Sequence, residues 1–485
     1  MDSQTLRGNG GLNMSSETGR RSFIKYAATA IVCGVVAGVG GWFAGVATAP
    51  PPKTVTVTPA VPAAPPPKTV TVTAPPEVKT VTVTATAPPT TVTKTVTQPA
   101  PGLSGVIPIG VVLGLTGPLA TYGENEKVAL EMAVEEINDF LKKSGVPATI
   151  ELLIEDSEIK PDVALEKLKA LHAKGVKVVI GMMSSGEVKH IKSYADANKI
   201  LIISPSSTAP ALAIPDDYIF RFCPDDTKQG PAMARTVYDT GVRYLIPVWR
   251  GDPWGDGLYE TTTERFKELG GTVLEGIRYA PEAKEFSAEV KVLASRVDEA
   301  VKKYGADKVG VYYVAFEEVV TFFTQASEYP ILSEVRWFGS DGTCLSKPMV
   351  EKETVAKFSV ATKFVNTYFA PAESEKLARL RSAVEAKLGR TPDAYTYNAY
   401  DALWVVVKSM LIVGKYDADA IKAVLPTVAE GTFGSSGWIK LNPAGDRELG
   451  DYDLWAIVLK EGKYQWVKAG YYSATTDSVA WFIKL

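Results

Sequence analysis

The sequence predicts an α/β protein with two lobes, each built on a parallel sheet, and a separate N-terminal region ahead of them. Short apolar strands alternate with amphipathic helices from Val106 onward, and this alternation occurs in two successive series. Before Val106, a basic and then apolar segment is followed by a tract rich in Thr, Val and Pro. The two lobes therefore follow an export or anchoring segment and a stalk.

Composition and charge place the chain among globular proteins of two or three domains. The 485 residues are 22% charged and 46% hydrophobic, and a net charge of −3 without a long basic run argues against nucleic acid as a partner. The three cysteines, Cys33, Cys223 and Cys344, fit no metal-ligand spacing, and two histidines poorly supply a zinc site or a catalytic triad. We therefore expect no cofactor and no metal.

Residues 1–49 are predicted to be an export signal or a membrane anchor. Arg20-Arg21-Ser22-Phe23-Ile24-Lys25 resembles the twin-arginine export motif, and an ordinary signal with two incidental arginines is the alternative. The apolar run from Tyr26 to Ala49 is long enough to span a bilayer as a helix. Because Pro50 should hinder cleavage after Ala49, retention as a membrane anchor stays open beside cleavage.

Residues 50–104 are predicted to be a disordered, semi-extended stalk. The motif Lys-Thr-Val-Thr-Val-Thr occurs at Lys53, Lys68 and Lys79, with Pro and Ala between the copies. Thr and Val favour extended backbone, the prolines prevent a helix or a continuous sheet, and the tract offers too little apolar surface for a core. The dense threonines suit O-glycosylation, and a plain soluble spacer is the alternative. A stalk behind an anchor predicts a tethered, extracytoplasmic protein.

The first series of elements in the body runs from Val106 to Leu212. Leu130, Ala133 and Ile137 lie at helical spacing, and the apolar runs between the helices have the length of buried strands. In order, the pattern predicts strand Val106–Leu113, helix Glu124–Lys143, strand Thr149–Ile154, helix Pro161–Lys174, strand Val176–Ile180, a helix from Glu187, strand Ile200–Ile203 and a helical turn at Ala209–Leu212.

The second series follows Asp225 and has the same alternation. It predicts helix Lys228–Thr240, strand Arg243–Trp249, helix Asp256–Leu269, strand Thr272–Tyr279, helix Ser287–Lys303, strand Lys308–Val314, helix Phe316–Ser327 and strand Val335–Phe338. Such alternation builds parallel sheets with helices on both faces, and each series is long enough for its own core.

The strand ends of the two lobes carry different chemistry, and ligands of open parallel sheets bind beyond the carboxyl ends of the strands. In the first lobe these ends offer hydroxyls and helix N-termini, at Leu115–Gly123, Met182–Gly186 and Ser206–Thr208. In the second lobe they offer aromatic rings and a carboxylate, at Arg250–Gly257, Val314–Phe316 and Gly339–Gly342. This division suits a zwitterion held between the lobes, with its carboxylate on the first and its ammonium on the second.

Several ordered motifs resemble the type I periplasmic solute-binding proteins of ABC importers, the leucine/isoleucine/valine-binding family. The similarity covers about Val106 to Tyr472 and rests on Leu115-Thr116-Gly117-Pro118, Ser204-Pro205-Ser206-Ser207-Thr208-Ala209-Pro210, Trp254-Gly255-Asp256-Gly257, Gly339-Ser340-Asp341-Gly342 and Ala394-Tyr395-Thr396-Tyr397-Asn398-Ala399-Tyr400-Asp401. The resemblance implies two Rossmann-like lobes, joined by a hinge of crossover strands, that close on the ligand.

The resemblance also implies where the chain passes between the lobes. The first lobe would comprise residues 105–226 and 363–434, and the second lobe residues 227–362 and 435–485. Helices Ala372–Leu388, Asp393–Val413 and Ala418–Ala429 would complete the first lobe, and strands Gly437–Leu441, Tyr452–Lys460 and Tyr464–Lys468 the second.

Carried over residue by residue, the resemblance implies a binding site made of Tyr122, Ser184, Ser185, Ser206, Ser207, Thr208, Trp254, Phe316 and Asp341. Ser185 and Thr208, with backbone groups around Ser206, would bind the ligand carboxylate. Tyr122 and Trp254 would form walls of the cleft.

The chain also departs from the pattern of the family. Asp341 stands where amino-acid binders commonly have a Glu that accepts the ammonium group, and Phe316 stands where a Tyr is common. Ser184 replaces a cysteine, so the disulfide of many relatives is missing. Cys223 and Cys344 either pair or stay as two buried free thiols. The side-chain specificity of the best-known members therefore does not transfer.

Each site residue also has a purely structural interpretation. Asp341 and Ser185 can cap the segments that follow them, Trp254 and Phe316 can be core aromatics, and Tyr122 can stack on a surface turn.

The resemblance implies a solute-binding protein, not an enzyme, that captures an amino-acid-like solute and delivers it to a membrane permease. A branched-chain amino acid is the first expectation. A short amide, a urea or an aromatic acid is the alternative ligand, and a ligand sensor or a surface-layer protein is the alternative role. The sequence has no Gly-rich phosphate loop after a strand and no nucleophile with an evident His base.

Overall fold

The computed structural model describes residues 102–485 throughout, and before them only the backbone of four short strands. These are β1 (Thr54–Val55), β2 (Thr69–Thr73), β3 (Val78–Thr82) and β4 (Lys94–Thr95), with β1 antiparallel to β4 and β2 antiparallel to β3. The predicted signal or anchor lies outside the described residues and stays a prediction, as does the stalk. None of the helices in the described part is long and apolar enough to cross a bilayer.

The first sheet has six strands, all paired in parallel, in the order β18-β9-β8-β7-β5-β6. They are β5 (Gly105–Leu113), β6 (Ala148–Asp156), β7 (Val178–Gly181), β8 (Leu201–Ser204), β9 (Ile219–Pro224) and β18 (Asp446–Arg447). Every residue of β7, β8 and β9 is buried, as expected for a parallel sheet that is covered on both faces.

The second sheet has nine strands, parallel on one side and antiparallel on the other. Its order is β11-β10-β13-β14-β15-β19-β20-β21, with β12 also paired to β10, and the pairs from β15 to β21 are antiparallel. The strands are β10 (Tyr244–Arg250), β11 (Thr272–Val273), β12 (Ile277–Tyr279), β13 (Val309–Val314), β14 (Arg336–Phe338), β15 (Val365–Phe369), β19 (Tyr452–Lys460), β20 (Lys463–Ser473) and β21 (Ser478–Trp481). A separate two-stranded pair is formed by β16 (Phe433–Gly434) and β17 (Gly437–Trp438).

The helices lie between the strands as the alternation predicts. They are α1 (Ala120–Lys143), α2 (Pro161–Ala173), α3 (Ser185–Asn198), α4 (Asp226–Asp239), α5 (Pro253–Glu268), α6 (Ser287–Tyr304), α7 (Val319–Ala326), α8 (Lys347–Glu351), α9 (Glu353–Ala361), α10 (Glu375–Leu388), α11 (Ala394–Val413) and α12 (Ala418–Glu430). Short 3₁₀ turns occur at Pro210–Leu212, Ala306–Lys308 and Pro330–Ser333. The α/β fold with two lobes is thus confirmed.

Several element predictions need correction. β9 and β15 are strands that the sequence pattern misses, because β9 carries Arg221 in its middle and β15 contains polar residues that are all buried. The predicted strand Thr272–Tyr279 is broken into β11 and β12. α7 begins at Val319, so Phe316 precedes the helix that was predicted to start there. α3 begins at Ser185, two residues before the predicted start at Glu187, and Ser184 is its N-cap.

Two lobe boundaries differ from the prediction when the lobes are defined by their sheets. β15 pairs with β14, so residues 365–369 belong to the second sheet rather than to the first lobe. β18 pairs with β9, so Asp446 and Arg447 belong to the first sheet, although the sequence assigns residues 435–485 to the second lobe. The chain therefore leaves each lobe several residues later than the resemblance implies.

A buried ion pair connects β9 to β18. The Arg221 guanidinium donates through Nε and Nη2 to the two carboxylate oxygens of Asp446, at 2.5 and 2.6 Å, and both side chains are at most 2% exposed. Its Nη1 also donates to the main-chain oxygens of Ser207 and Ala209, at 3.2 and 2.7 Å. Arg221 thereby fixes the turn that follows β8, and that turn forms one side of the cavity described below.

We expect the change Asp446→Ala to lower the free energy of unfolding by about 3–5 kcal/mol, because it leaves the buried Arg221 charge without its carboxylate. Urea unfolding followed by circular dichroism measures the change. The matched control is Glu448→Ala, two residues away, which removes an exposed pair with Lys440 and should cost about 1 kcal/mol or less. Equal losses in the two variants would contradict the prediction.

Candidate functional site

A small cavity lies between the carboxyl ends of the two sheets. It encloses about 30 Å³ and is lined by Leu119, Tyr122, Met183, Ser184, Ser185, Ser206, Trp254, Phe316, Asp341, Gly342 and Tyr395. Seven of the nine sequence-predicted site residues are among them, and Ser207 and Thr208 are not. The residues come from both lobes, as expected for a ligand site between two open α/β sheets.

The first side of the cavity is the N-terminus of α3. Ser184 is the N-cap, and it forms a capping box in which the Glu187 N–H donates to Ser184 Oγ and the Ser184 N–H donates to Glu187 Oε2. Ser185 is the first helical residue, and its Oγ accepts the N–H of Ala209 at 3.1 Å. Helix N–H groups and hydroxyls at this position favour a negatively charged ligand group.

The turn after β8 is held rigidly beside this helix end. Ser206 lines the cavity, and its hydroxyl donates to the main-chain oxygen of Met183 at 3.2 Å. Ser207 lies behind it: its Oγ is 3.0 Å from Ser185 Oγ, and its carbonyl accepts Arg221. Ser207 therefore does not face the cavity, and its hydroxyl instead holds the Ser185 side chain in position.

The Thr208 hydroxyl, predicted to bind the ligand carboxylate, does not face the cavity in this structure. Thr208 Oγ1 does not line the cavity but donates to Asp226 Oδ2 at 2.9 Å. Asp226 is the first residue of α4, and its carboxylate takes the hydroxyl that was expected to face the ligand. The sequence pattern cannot show this contact, because Asp226 comes after a strand, β9, that the pattern misses.

Two buried glutamates, Glu126 and Glu187, lie near the first side of the cavity. Burial raises the pKa of Glu126 well above its ordinary value, and burial also raises the pKa of Glu187. Both shifts favour the uncharged acid. In the uncharged form, neither glutamate would repel an anionic ligand group at this side of the cavity.

The opposite wall is aromatic. The Trp254 and Phe316 rings are stacked, with centroids 4.6 Å apart, and the Arg250 guanidinium lies 4.7 Å from the centroid of Phe316. Gly342 permits this close wall, since a Cβ there would lie 2.5 Å from the Ala315 oxygen and 2.6 Å from the Trp254 ring. The wall suits an apolar or planar ligand group.

Asp341 is the carboxyl group that the second lobe brings to the cavity. Its side chain accepts hydrogen bonds from Gln229 Nε2 at 2.9 Å and from the Tyr395 hydroxyl at 2.7 Å. Residues 102–485 place no Lys or Arg within ion-pair distance of it. Burial raises the pKa of Asp341, because no buried cation offsets the loss of water. A cationic ligand group at this position would supply the missing partner.

Direct hydrogen bonds between the lobes close the cleft around the cavity. The Tyr122 hydroxyl donates to the Cys344 oxygen at 2.9 Å, and the Glu317 N–H donates to the Pro118 oxygen at 3.1 Å. Thr121 donates to the Glu317 carboxylate as well. Because these contacts join the start of α1 to the second lobe, the structure shows the closed conformation.

Sequence reasoning missed four lining residues, Leu119, Met183, Gly342 and Tyr395. Leu119, Met183 and Gly342 lie inside the strand ends that the sequence predicts to carry the ligand chemistry, but none of the three was selected as a site residue. Tyr395 is different, because it reaches the cavity from the N-terminal turn of α11, beyond Asp393. Within the described residues, no cluster of three or more His, Cys, Asp or Glu side chains is arranged to hold a metal ion.

The two cysteines of the body are free and buried. Cys223 Sγ lies 3.3 Å from the Ser207 oxygen, and the main-chain oxygen of Cys344 accepts the Tyr122 hydroxyl. Burial raises the pKa of both thiols well above the ordinary value and keeps them protonated. Of the two possibilities that the sequence left open, the structure has the two free thiols.

Comparison with known proteins identifies relatives over nearly the whole body. The family described as periplasmic binding protein matches residues 106–442. An uncharacterised protein of Methanocaldococcus jannaschii is 36% identical over 395 residues, which covers 78% of this chain and 92% of that protein. A Leu/Ile/Val-binding protein homologue of Brucella abortus is 26% identical over 368 residues, covering 74% of this chain and 93% of that protein.

Solved structures share the fold at low sequence identity. A leucine-binding protein of Thermotoga maritima is 21% identical with a TM-score of 0.60, covering 74% of this chain and 97% of its own. A solute-binding protein of R. palustris, solved with benzoate, is 20% identical with a TM-score of 0.62, covering 75% of this chain and 96% of its own. Proteins of this fold thus carry chemically different ligands.

We expect Cys223 and Cys344 to resist a thiol reagent such as Ellman's reagent in the native protein and to react fully after denaturation without reductant. The physical reason is their burial, which excludes the reagent and suppresses the thiolate. The measurement uses a Cys33→Ser variant, so that only these two thiols are counted. Absence of reaction after denaturation would indicate a disulfide and contradict the structure.

Proposed function

Because the chain belongs to the periplasmic binding protein family, we propose that it captures a small amino-acid-like solute, with a branched-chain amino acid first, in the cleft between its lobes. The observation that carries this proposal is the position of Asp341, a buried carboxylate that lines the cavity without a cation, opposite the helix N-terminus at Ser185. In this proposal the ligand ammonium pairs with Asp341 and the ligand carboxylate binds at Ser185.

The first-lobe side supports a carboxylate. Ser184, Ser185 and Ser206 bring hydroxyls and helix N–H groups to one edge of the cavity. Charge-assisted hydrogen bonds from such groups are stronger than neutral ones. The pairing of unlike groups across the cleft would also favour closure, since the ligand then joins the two lobes.

The apolar lining of the cavity supports an apolar side chain on the ligand. Trp254, Phe316 and Leu119 line the cavity and offer two aromatic faces and one aliphatic side chain to such a group. Burial of a short aliphatic group against these rings would contribute about 1.5–3 kcal/mol.

The proposed partner is the membrane permease of an ABC importer, and the proposed location is extracytoplasmic. Residues 1–49 would direct export or anchor the chain, and residues 50–104 would hold the body away from the membrane. A ligand sensor or a surface-layer protein with the same cleft is the competing role. A permease and an ATPase encoded beside this gene would favour transport.

An aromatic acid is the second candidate ligand, and the stacked Trp254 and Phe316 rings are the observation that favours it. The R. palustris protein of the same fold was solved with benzoate. A ligand without a cation, however, would leave Asp341 unpaired in the closed cleft, and that costs free energy. A short amide or a urea would donate N–H groups to Asp341 without charge.

We expect wild-type protein to bind L-leucine and to reject 4-methylpentanoate, which is leucine without its ammonium group. The isosteric change Asp341→Asn should weaken leucine binding by about 1.5–3 kcal/mol, roughly 10- to 150-fold, because it removes the charged acceptor. Isothermal titration calorimetry measures both ligands on both proteins, with L-isoleucine, L-valine and benzoate as further ligands.

4-Methylpentanoate is the internal control of this experiment, because it lacks only the ammonium group of leucine. If Asp341 holds the ammonium, Asp341→Asn reduces the preference for leucine over 4-methylpentanoate, whereas a general loss of folding weakens both. Tight binding of benzoate with no binding of any amino acid would contradict the amino-acid ligand and support an aromatic acid in its place.

A further inference from the structure

Asp226 is a second buried carboxylate directly behind Asp341, and neither the sequence nor the family resemblance assigns it a role. It is the first residue of α4 and is fully buried. Gln229, one turn later, donates through Nε2 to Asp226 Oδ1 at 3.0 Å and to Asp341 Oδ1 at 2.9 Å. One amide nitrogen therefore bridges the two carboxyl groups.

The bridge is fixed from both ends. Gln229 Oε1 accepts the N–H of Asp341 and the hydroxyl of Thr367, both at 3.0 Å. These two donors hold the amide oxygen in place, so that the amide nitrogen faces the two aspartates. Rotation of the amide would break all four contacts.

Only neutral donors serve the two aspartates. They are the Gln229 amide, the Thr208 hydroxyl on Asp226, and on Asp341 the Tyr395 hydroxyl together with the main-chain N–H groups of Asp341 itself and Gly342. The titratable groups that face the pair from the surrounding elements are all acidic side chains, with no base among them. They are Tyr122, Cys223, Asp225, Tyr312, Cys344, Tyr368, Tyr395 and Tyr452. Among the described residues, no Lys, Arg or His forms an ion pair with either aspartate.

Two buried carboxylates that share a donor and lack a cation do not both ionise readily. Burial raises the pKa of Asp226 well above its ordinary value, and the nearby charge of Asp341 raises it further. Burial likewise raises the pKa of Asp341. The partial positive charge at the N-terminus of α4 opposes these effects but is shared with Asp225.

We propose that Asp226 and Asp341, joined by Gln229, hold one proton in the ligand-free protein and release it when a cationic ligand group binds at Asp341. This inference rests on the proposed function, because it requires a cationic ligand. The O–H bond of the carboxylic acid breaks, the proton passes to water or buffer, and the ligand ammonium replaces it as the balancing charge. Ligand capture is then coupled to the release of a proton.

The sign of the pH dependence follows from this exchange. A positive charge beside the pair lowers the pKa values of both groups, so binding releases a proton and never takes one up. Affinity for a cationic ligand should therefore rise with pH below the pKa of the pair, by up to about tenfold per pH unit, and then level off.

The first test needs no ligand. The infrared difference spectrum between wild type and Asp226→Asn at neutral pH should contain the C=O band of a protonated carboxylic acid. The matched control is Asp256→Asn, which changes an aspartate in the first turn of α5. Asp256 is paired with Arg278, which lowers its pKa, so this variant should lack the acid band. An Asp226 difference spectrum with carboxylate bands alone would overturn the shared proton.

The second test counts the protons released when L-leucine binds. Calorimetry at pH 7 in phosphate and in Tris, whose ionisation enthalpies differ, gives the number of protons exchanged. We expect about one proton released by wild type and by Asp256→Asn, and about none by Asp226→Asn, which still binds leucine. Leucine binding without proton release in wild type would overturn the proposal.

The two tests separate this inference from the proposed function. An acid band without any leucine binding would refute the amino-acid ligand but keep the shared proton. Leucine binding with neither an acid band nor proton release would keep the ligand and refute the shared proton. If Asp226→Asn does not fold, the number of protons that wild type releases on binding leucine decides whether the shared proton exists: about one supports it, and none refutes it.

Discussion

The buried Arg221 guanidinium is the interaction on which the first-lobe side of the site depends. It joins β9 to β18 through Asp446 and holds the carbonyls of Ser207 and Ala209 from behind. A buried cation requires such complete pairing, because each unsatisfied N–H of a charged group is costly away from water. The hydroxyl turn is therefore rigid before any ligand arrives, and less conformational entropy is lost on binding.

The electrostatics of the cleft are asymmetric because the buried arginines of the body already have partners elsewhere and do not reach Asp226 or Asp341. Arg221 is paired with Asp446, and Arg250 is paired with Asp252 and Glu318 behind the aromatic wall. A third buried guanidinium, that of Arg447, donates to the Ser436 hydroxyl and to the main-chain oxygens of Ser436 and Trp438. Asp226 and Asp341 share only neutral donors. The second-lobe side thus lacks a positive charge, whereas helix N–H groups and hydroxyls on the first-lobe side accommodate a negative one. A zwitterion matches both sides at once.

Much of this arrangement is predictable from sequence, since apolar periodicity gives the alternating elements and parallel sheets place the strand ends together. The alternation of strands and helices follows from these two rules, whereas the seven lining residues were predicted from the resemblance to the solute-binding family. The prediction was wrong where a buried polar group decides the structure. The charged Arg221 interrupts the apolar pattern of β9, so this strand was not predicted. The Thr208 hydroxyl donates to Asp226 and therefore does not face the cavity. Partners this distant in sequence come together only through the fold, so Gln229 could not be singled out either.

The central claim is that the closed cleft binds a ligand with both an ammonium and a carboxylate group. Mass spectrometry of the small molecule that co-purifies with the protein under non-denaturing conditions tests this claim most directly. We expect an amino acid or a close analogue with an apolar side chain. An aromatic acid, or any ligand without a cationic group, would contradict it.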